Sequence, residues 1–399
     1  MKKHLLFFFI LNSIVCLAQP ISQEELNEKK MFTSLLNANK TPEQVYKLNL
    51  SSKDLKDLPE DIGKFVNLHY LDVSKNDLIN LPASITTLKY LQVLHVNDNA
   101  LEELPMNIGA LSNLKEFSLH KNKIEKLPDS FTQLQGLSKL DAYVNNLSEL
   151  PEDIGEMQNL VVVDLYINEL SKLPNSFQDL DNIQSLYLGS NRFSKFPKEL
   201  CGLSELVILD LSDNQIKKFP KEIGVFKQLE FAFFHENKIS KLPNEFGDLS
   251  ALINVDFRNN KIKKMPASVG NLKSLIEFSL DYNKLKGLPD ELVNLTQLES
   301  LHLTANRLKS LPDSIGNLTA LMSVTIDENP IEKLPESFFN LRNLKFVDVS
   351  GTSLRNIPSN MGDLTKLEYL NVGDLGLNKE QIEIIRKQMA RAKAIEIVF

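Results

Sequence analysis

One spacing constrains this chain more than any other feature. A proline returns every 23 residues from Pro59 to Pro358, fourteen times without an insertion or a deletion. An asparagine stands six residues before twelve successive prolines, from Asn76 to Asn329. A fixed period of this length predicts a solenoid, in which each unit packs only against its neighbours. The 399 residues are therefore expected to form one elongated repeat domain, although length alone would suggest two or three globular ones.

The first 18 residues differ in character from the repeats. A basic start at Lys2 and Lys3 precedes an apolar run from Leu5 to Leu17, and small residues at Cys16 and Ala18 precede a cleavage point. This pattern predicts a secretory signal peptide over residues 1–18, because the apolar run is too short to span a bilayer. A lipoprotein signal, with a lipid anchor at Cys16, is the alternative.

Each position of the 23-residue unit has a distinct role. One copy, from Leu91 to Leu111, reads LQVLHVNDNALEELPMNIGAL. Alternating pairs such as Leu94 and Val96 predict a short strand, and their recurrence predicts a parallel sheet of about fifteen strands. The asparagine can satisfy buried backbone groups as a ladder, while the proline favours an irregular or helix-starting segment on the far side. A glycine follows in eight units and predicts a close-packed bend, where Cys201 is expected to be a buried small residue.

Over residues 45–375 this unit resembles the 23-residue Leu-Pro repeat of leucine-rich repeat proteins, in a form similar to bacterial ones. The resemblance implies an α/β repeat fold, a curved horseshoe with the parallel sheet on its concave face and irregular or short helical segments on its convex face. It also implies a non-enzymatic protein-binding module. Animal extracellular members usually carry cysteine-rich caps. Their absence here, with the lysine-led signal, points to an exported bacterial protein of the periplasm, the cell surface or the medium.

The regions that flank the repeats are predicted to be caps. Residues 19–46 are expected to form one N-terminal helix, which begins with a Ser22–Glu25 capping box and ends near Asn39. Residues 47–375 form the solenoid, and residues 376–399 form a C-terminal cap. In this last segment Asn378 and Gln381 cap a helix, and alternating apolar residues near Phe399 predict a final strand.

The side chains that point out of the sheet lie twelve, ten, eight and seven residues before each proline and at the equivalent positions of the last unit, from Tyr369 to Asp374, and we call this surface the sheet face. It holds six of the eight tyrosines and four of the five histidines that follow the predicted signal. Large amphipathic side chains are typical of interaction hot spots. The alternative is that they only pack against one another along the sheet. The residues predicted to contact a protein partner are Tyr143, Tyr166, Tyr187, Asp210, Phe231, Phe233, His235 and Arg258.

Charge limits the class of partner. The sheet face carries fifteen acidic and five basic residues. Such a surface disfavours nucleic acid, which needs a basic footprint, and favours a basic or mixed-charge protein. Two alternatives stay open: aspartate in this position can be a habit of the repeat, and calcium is a weaker interpretation that no D-x-D-x-D-G loop supports.

The sequence contains no constellation of residues that supports catalysis, and it implies no cofactor or metal. Lysines just before the proline and acids just after it are interpreted as a solvated edge with modest pairing. The leading function is therefore a protein-binding module. A structural or assembly scaffold of the cell envelope and a carbohydrate-binding adhesin are the alternatives, and the oligomeric state is left open.

Overall fold

The computed structural model describes residue 21 and residues 23–355, 357–389 and 395–399. The predicted signal peptide, Cys16 and Ser22 of the predicted capping box lie outside the described residues. One sheet of 17 strands dominates the fold. In chain order, β1 to β17 are Met31–Phe32, Lys47–Asn49, Tyr70–Asp72, Val93–His95, Glu116–Ser118, Lys139–Asp141, Val162–Asp164, Ser185–Tyr187, Ile208–Asp210, Phe231–Phe233, Asn254–Asp256, Glu277–Ser279, Ser300–His302, Ser323–Thr325, Phe346–Asp348, Tyr369–Asn371 and Glu396–Val398.

Each strand pairs in parallel with the next one along the chain, so the sheet is open and follows sequence order. From β2 to β16 the partners are 23 residues apart, as in the pairing of Phe231 with Asn254. The fifteen repeat strands confirm the sequence prediction, and β1 and β17 add one strand at each end. The result is the open horseshoe of a repeat solenoid.

The side opposite the sheet is built from short 3₁₀ helices, which begin at or just after the proline in most units. The helices of the repeats are Glu60–Lys64, Ala83–Thr87, Ile108–Ala110, Asp129–Gln133, Ile154–Glu156, Asn175–Asp179, Lys198–Gly202, Lys221–Val225, Asn244–Asp248, Ala267–Asn271, Asp290–Asn294, Ile315–Asn317, Glu336–Asn340 and Ser359–Asp363. The proline is extended, with φ of −64° at Pro82 for example, and its carbonyl accepts the first hydrogen bond of the helix. A residue without an N–H suits this position.

One continuous apolar core lies between the two sides, and nearly all the leucines of the repeat are fully buried in it. Several glycines permit close contact between neighbouring units. A Cβ at Gly109 would stand 2.0 Å from the carbonyl oxygen of Ser130 in the next unit. The predicted close-packed bend is thus confirmed. The expectation for Cys201 is wrong, because the residue is half-buried and packs only against the margin of the core. Burial raises the pKa of its thiol to about 11, with a further contribution from Glu222 and Glu199.

The asparagine ladder is confirmed in atomic detail. Asn168 accepts the backbone N–H of Leu147 in the preceding unit at 3.0 Å, and its amide donates to the carbonyls of Ala142 and Leu165, both at 3.1 Å. Each of the twelve asparagines accepts an N–H from the preceding unit in the same way. The ladder ends at Thr352, whose hydroxyl only donates to the nearby carbonyl of Val349.

The N-terminal region differs from the single helix that the sequence predicts. Its elements are the helix α1 (Gln23–Glu28), the strand β1, the helix α2 (Leu35–Ala38) and a 3₁₀ helix at Pro42–Gln44. The strand forms because Met31 and Phe32 pair with Lys47 and Leu48, and this pairing extends the sheet by one strand.

At the C-terminus the helix α3 (Lys379–Met389) follows the prediction. Asn378 and Gln381 exchange side-chain-to-backbone hydrogen bonds of 2.8 and 2.9 Å, which is a reciprocal cap. The final strand, β17, then pairs with β16.

Candidate functional site

The register of the sheet places the predicted contact residues on six neighbouring strands, β6 to β11. At the usual spacing of parallel strands this patch is about 25 Å long. Seven of its eight predicted residues are half-buried, and Arg258 is exposed. Side chains at alternate positions, such as Ala232 between the two phenylalanines, point into the core. The structure therefore brings the eight residues together on one surface.

Each repeat strand, from β2 to β16, is followed by a left-handed turn, which lies seven positions before the proline in the units that have one. The φ angles at this position lie near +50°, from Ser52 to Asp374. The other units place a residue there that is not branched at Cβ, whereas the β-branched Val144 and Ile167 have φ of 55° and 54°. Branched side chains are disfavoured in this conformation. These two strained residues directly follow Tyr143 and Tyr166, and Ile167 exposes 42% of its surface beside the patch.

At one end of the patch Tyr143 lies in a ring stack. Its ring is 4.3 Å from that of His120, with an interplanar angle of 11°. His120 Nδ1 is 2.9 Å from Asp141 Oδ2 and 2.9 Å from Ser118 Oγ. Tyr143 therefore packs along the sheet, and the stack on His120 fixes the orientation of its ring.

The two other tyrosines are held differently. Gly189 gives the ring of Tyr166 room, because a Cβ at this glycine would stand 2.7 Å from two carbons of the ring. The backbone N–H of Tyr166 donates to Asp164 Oδ1 at 3.0 Å. Tyr187 lies between Asp164 and Asp210 in the register of the sheet. Within the described residues neither tyrosine belongs to an aromatic pair.

The centre of the patch is apolar. Phe231 and Phe233 both emerge from β10 onto the sheet face, and Ile208 is the neighbour of Phe231 on β9. The two rings are half-buried, and no ring stacks on either of them in the part of the chain that the structure describes. Packing between aromatic side chains thus does not account for two large apolar groups at the surface.

Beside Phe233 a charged cluster joins β10 to β11. Arg258 donates to Asp256 through Nε at 2.9 Å and through its terminal nitrogen at 2.6 Å, and His235 Nδ1 is 3.2 Å from the same carboxylate. Burial raises the pKa of Asp256, but these two neighbours outweigh it and lower that pKa to about 2. The contact with Asp256 raises the pKa of His235. Asp256, Arg258 and Phe233 line a depression of about 240 Å³ that also reaches Asp281 and His302.

Aspartates on the sheet face have a local role as well as a charge. Five of them accept the backbone N–H two residues later, and Asn49 and Asn371 do the same in their units. The five are Asp72, Asp164, Asp210, Asp256 and Asp348. This geometry supports the alternative that aspartate in this position is a feature of the repeat.

The ionised carboxyl of Asp164 is also destabilised by its surroundings. Burial, followed by the charges of Asp141 and Asp210, raises the pKa of this carboxyl to about 6. Its ionised form is therefore poorly accommodated on the free sheet face, and a cation supplied from outside would stabilise it.

Sequence reasoning placed four further residues on the sheet face but did not include them in the predicted contact patch. His120, His302 and Ile167 belong to it by contact or exposure, and Gly189 makes room for Tyr166. A signal was present for Gly189, because larger side chains occupy its position in most other units. No group of three or more His, Cys, Asp or Glu side chains in the described part of the chain is placed to hold a metal ion.

Comparison with known proteins identifies the repeat. The model described as a leucine-rich repeat region matches residues 44–140 and 290–391, and the model described as a leucine rich repeat matches residues 158–216 and 252–308. A leucine-rich repeat protein of Leptospira interrogans is 32% identical in sequence, with a TM-score of 0.77. That alignment covers 93% of this chain and 100% of the other. The chain is a leucine-rich repeat protein.

Two further leucine-rich repeat structures share the fold alone. An internalin of Listeria monocytogenes is 23% identical, with a TM-score of 0.68, over 78% of this chain and 88% of its own. YopM of Yersinia enterocolitica is 24% identical, with a TM-score of 0.63, over 89% and 73%. A comparison with curated proteins finds no significant match. Leucine-rich repeats generally mediate binding between proteins, and the family is typically a non-enzymatic scaffold.

Proposed function

We propose that this leucine-rich repeat protein is an exported module that binds a protein partner through its concave sheet face. The observation that carries the proposal is the pair Phe231 and Phe233, two half-exposed rings on one strand without a stacking partner among the described residues. Exposed apolar groups at the centre of a charged surface are typical of interaction sites. Tyr143, Tyr166 and Tyr187 extend this centre on one side, and His235 with Arg258 extends it on the other.

The partner is a protein with basic groups near its contact surface. Asp141, Asp164 and Asp210 lie close enough for the first and the last to raise the pKa of Asp164. A lysine or arginine of a partner would relieve this repulsion, and it would also be steered by the acidic face. Arg258 is already held by Asp256, so it presents its charge at a fixed place on the rim.

Export through a signal peptide at residues 1–18 belongs to the same proposal, with a lipid anchor at Cys16 as its variant. It places the protein in the periplasm, on the cell surface or in the medium. The caps at residues 19–46 and 376–399 close the two ends of the solenoid at 47–375. None of the helices among the described residues is long and apolar enough to cross a membrane.

The test compares the protein with the double variant Tyr166→Ala/Phe233→Ala. Both are immobilised, partners are captured from the envelope fraction of the source cell, and the affinity of the captured protein is measured by calorimetry. We expect the affinity to fall at least a hundredfold, because each ring is a candidate hot spot of about 2 kcal/mol. Tyr369→Ala is the matched control, since that ring lies on the sheet face but stacks on Phe346 at 4.4 Å, outside the patch.

Unchanged affinity in the double variant, together with lower thermal stability, would refute the concave-face proposal. The aromatic residues would then serve only for packing, and this result would favour the alternative of a structural or assembly scaffold. A glycan that binds the wild-type protein in a dose-dependent manner and fails to bind the double variant would instead favour the carbohydrate-binding alternative.

A further inference from the structure

A second surface of the solenoid carries an uneven charge. After the left-handed turn the chain runs along one side of the solenoid, where residues five, three and two positions before each proline point outward. The intervening residues, such as Leu101 and Leu104, are buried. We call this surface the flank, and we number its rungs 1 to 14 from Pro59 to Pro358.

Rungs 8 to 12 form a basic half of the flank. Eleven of its fifteen positions are lysine or arginine, and none is acidic. These residues are Lys217, Lys218, Lys238, Lys241, Lys261, Lys263, Lys264, Lys284, Lys286, Arg307 and Lys309. None of them makes an ion pair with another described residue. The acids that follow the prolines of these rungs, such as Glu222 and Glu245, lie beyond ion-pair distance. The edge is solvated as the sequence predicts, but the modest pairing expected there is missing from these described rungs.

Rungs 1 to 5 form an acidic half. Seven of the corresponding fifteen positions are acidic and three are basic. The acids are Asp54, Asp57, Asp77, Glu102, Glu103, Glu125 and Glu149. Of the three bases, Lys126 is already paired with Glu149 at 2.9 Å. The two halves of one flank thus carry opposite charge, with rungs 6 and 7 between them.

Apolar surface accompanies the charges on both halves. In the acidic half Ile79 is 52% exposed, and Met106, directly after the proline of rung 3, is 77% exposed. The basic half contains a cleft of about 690 Å³, where Pro266, Ala267 and Pro289 supply accessible apolar surface beside Lys263 and Lys264, whereas two other grooves of the flank measure about 360 and 240 Å³. Gly287, a flank position of rung 11, has open space where a Cβ would stand.

We propose that the flank binds a second copy of this chain in an antiparallel arrangement, with the two-fold axis between rungs 6 and 7. Rung 3 of one protomer then faces rung 10 of its partner, and each contact occurs twice, as a two-fold interface requires. Glu102 and Glu103 meet the rung that carries Lys263 and Lys264. Met106 meets the cleft beside Pro266 and Ala267, so an apolar contact accompanies the charges.

The size of the contact fits a stable dimer. Twelve rungs at the strand spacing give a strip of about 55 Å. A strip about 15 Å wide reaches the roughly 800 Å² per partner of a standard interface. Because the axis runs from the concave to the convex side, both sheet faces stay open and point in the same direction. The dimer does not depend on what the sheet face binds, but it would make that binding bivalent.

The test uses charge exchange between the two halves. The variant Glu102→Lys/Glu103→Lys places like charges opposite Lys263 and Lys264, and the variant Lys263→Glu/Lys264→Glu does the same from the other side. Sedimentation velocity at low ionic strength is expected to show a wild-type dimer. Each variant should dimerise roughly a hundredfold more weakly, because four exposed ion pairs become four like-charge contacts.

Mixing the two variants provides the decisive measurement. The heterodimer places lysines opposite glutamates at both ends, so an equimolar mixture should sediment as a dimer again. The control Glu332→Lys/Glu336→Lys changes two charges on rung 13, which faces no rung of the partner, and it should leave the dimer intact. A wild-type protein that stays monomeric at its highest soluble concentration overturns the proposal, as does a mixture that fails to recover the dimer. Circular dichroism confirms that each variant is folded.

Discussion

At the scale of single residues, the left-handed turn at Ile167 is occupied by a residue that does not suit the fold but lies beside the contact patch. Ile167 adopts φ of 54° and is 42% exposed to solvent, although both features are unfavourable for isoleucine. Asparagine occupies the same turn at Asn259. We expect Ile167→Asn to stabilise the protein by about 1 kcal/mol in urea unfolding, because the strain of a branched residue is relieved.

The same substitution should weaken partner binding, since it removes an apolar group next to Tyr166. Ser190→Asn on the adjacent strand is the control, because serine already tolerates the turn with φ of 51°. Its stability should change little. A loss of stability in Ile167→Asn would show that the isoleucine serves packing and not recognition.

The second prediction for a single residue concerns Asp164, whose raised pKa determines how the stability of the protein changes with pH. A carboxyl whose pKa is about 6 in the folded state, against an ordinary value of 3.8, favours folding while it is protonated. That contribution is present below pH 4 and is lost as pH rises through 6. Asp164→Asn should therefore stabilise the protein by about 1 kcal/mol at pH 7, a value reduced from the full shift because the group is partly exposed.

The substitution keeps the hydrogen bond to the N–H of Tyr166, since Asn49 and Asn371 accept the equivalent N–H in their own units. Thermal unfolding between pH 4 and pH 7.5 measures the effect, and the gain should vanish near pH 4. Partner affinity should show the opposite trend and fall in the variant, because the charge that attracts a cation is gone. A gain in stability that is independent of pH would contradict this account.

At the scale of elements, the 3₁₀ helices of neighbouring units touch through glycine. A Cβ at Gly109 would lie 2.0 Å from Ser130 O, whereas nothing lies within 4 Å of a Cβ at Gly287. Gly109→Ala should cost about 2 kcal/mol, because the next unit must move. Gly287→Ala should be neutral or stabilise by up to about 1 kcal/mol, since it restricts only the unfolded chain. Chemical denaturation of both variants checks the contrast, and equal effects would refute it.

The elements also show what the sequence could and could not predict. Period and alternation were sufficient for the sheet and the ladder, because every unit repeats the same local chemistry, and the spacing of Asn378 and Gln381 was sufficient for the cap of α3. The strand Met31–Phe32 escaped prediction, since it forms only by pairing with Lys47 and Leu48. The outward direction of Phe231 and Phe233 was predictable from the register, but the stacking of Tyr143 on His120 was not, because it depends on side-chain conformations in two units.

At the scale of the whole molecule, a solenoid has no contacts between distant units, so its stability is a sum of local terms. The last unit depends on α3, which buries Ile385 and Met389 to 2% exposure. The neighbouring Ile384 is 46% exposed and provides a matched control. Ile385→Asp should cost about 4 kcal/mol, because a carboxylate enters an apolar contact, whereas Ile384→Asp should change stability by less than about 0.5 kcal/mol.

The location of that loss is the stronger prediction. Because each unit is supported only by its neighbours, Ile385→Asp should remove hydrogen-exchange protection from Tyr369–Asn371 and weaken it at Phe346–Asp348. Protection at Val162–Asp164, nine strands away from β16, should stay at its wild-type value, and with it the contact surface around Tyr166. Equal loss of protection in every strand would contradict this prediction, because it would mean that the solenoid unfolds as one unit. A substitution in the C-terminal cap would then destabilise the candidate site together with the entire chain.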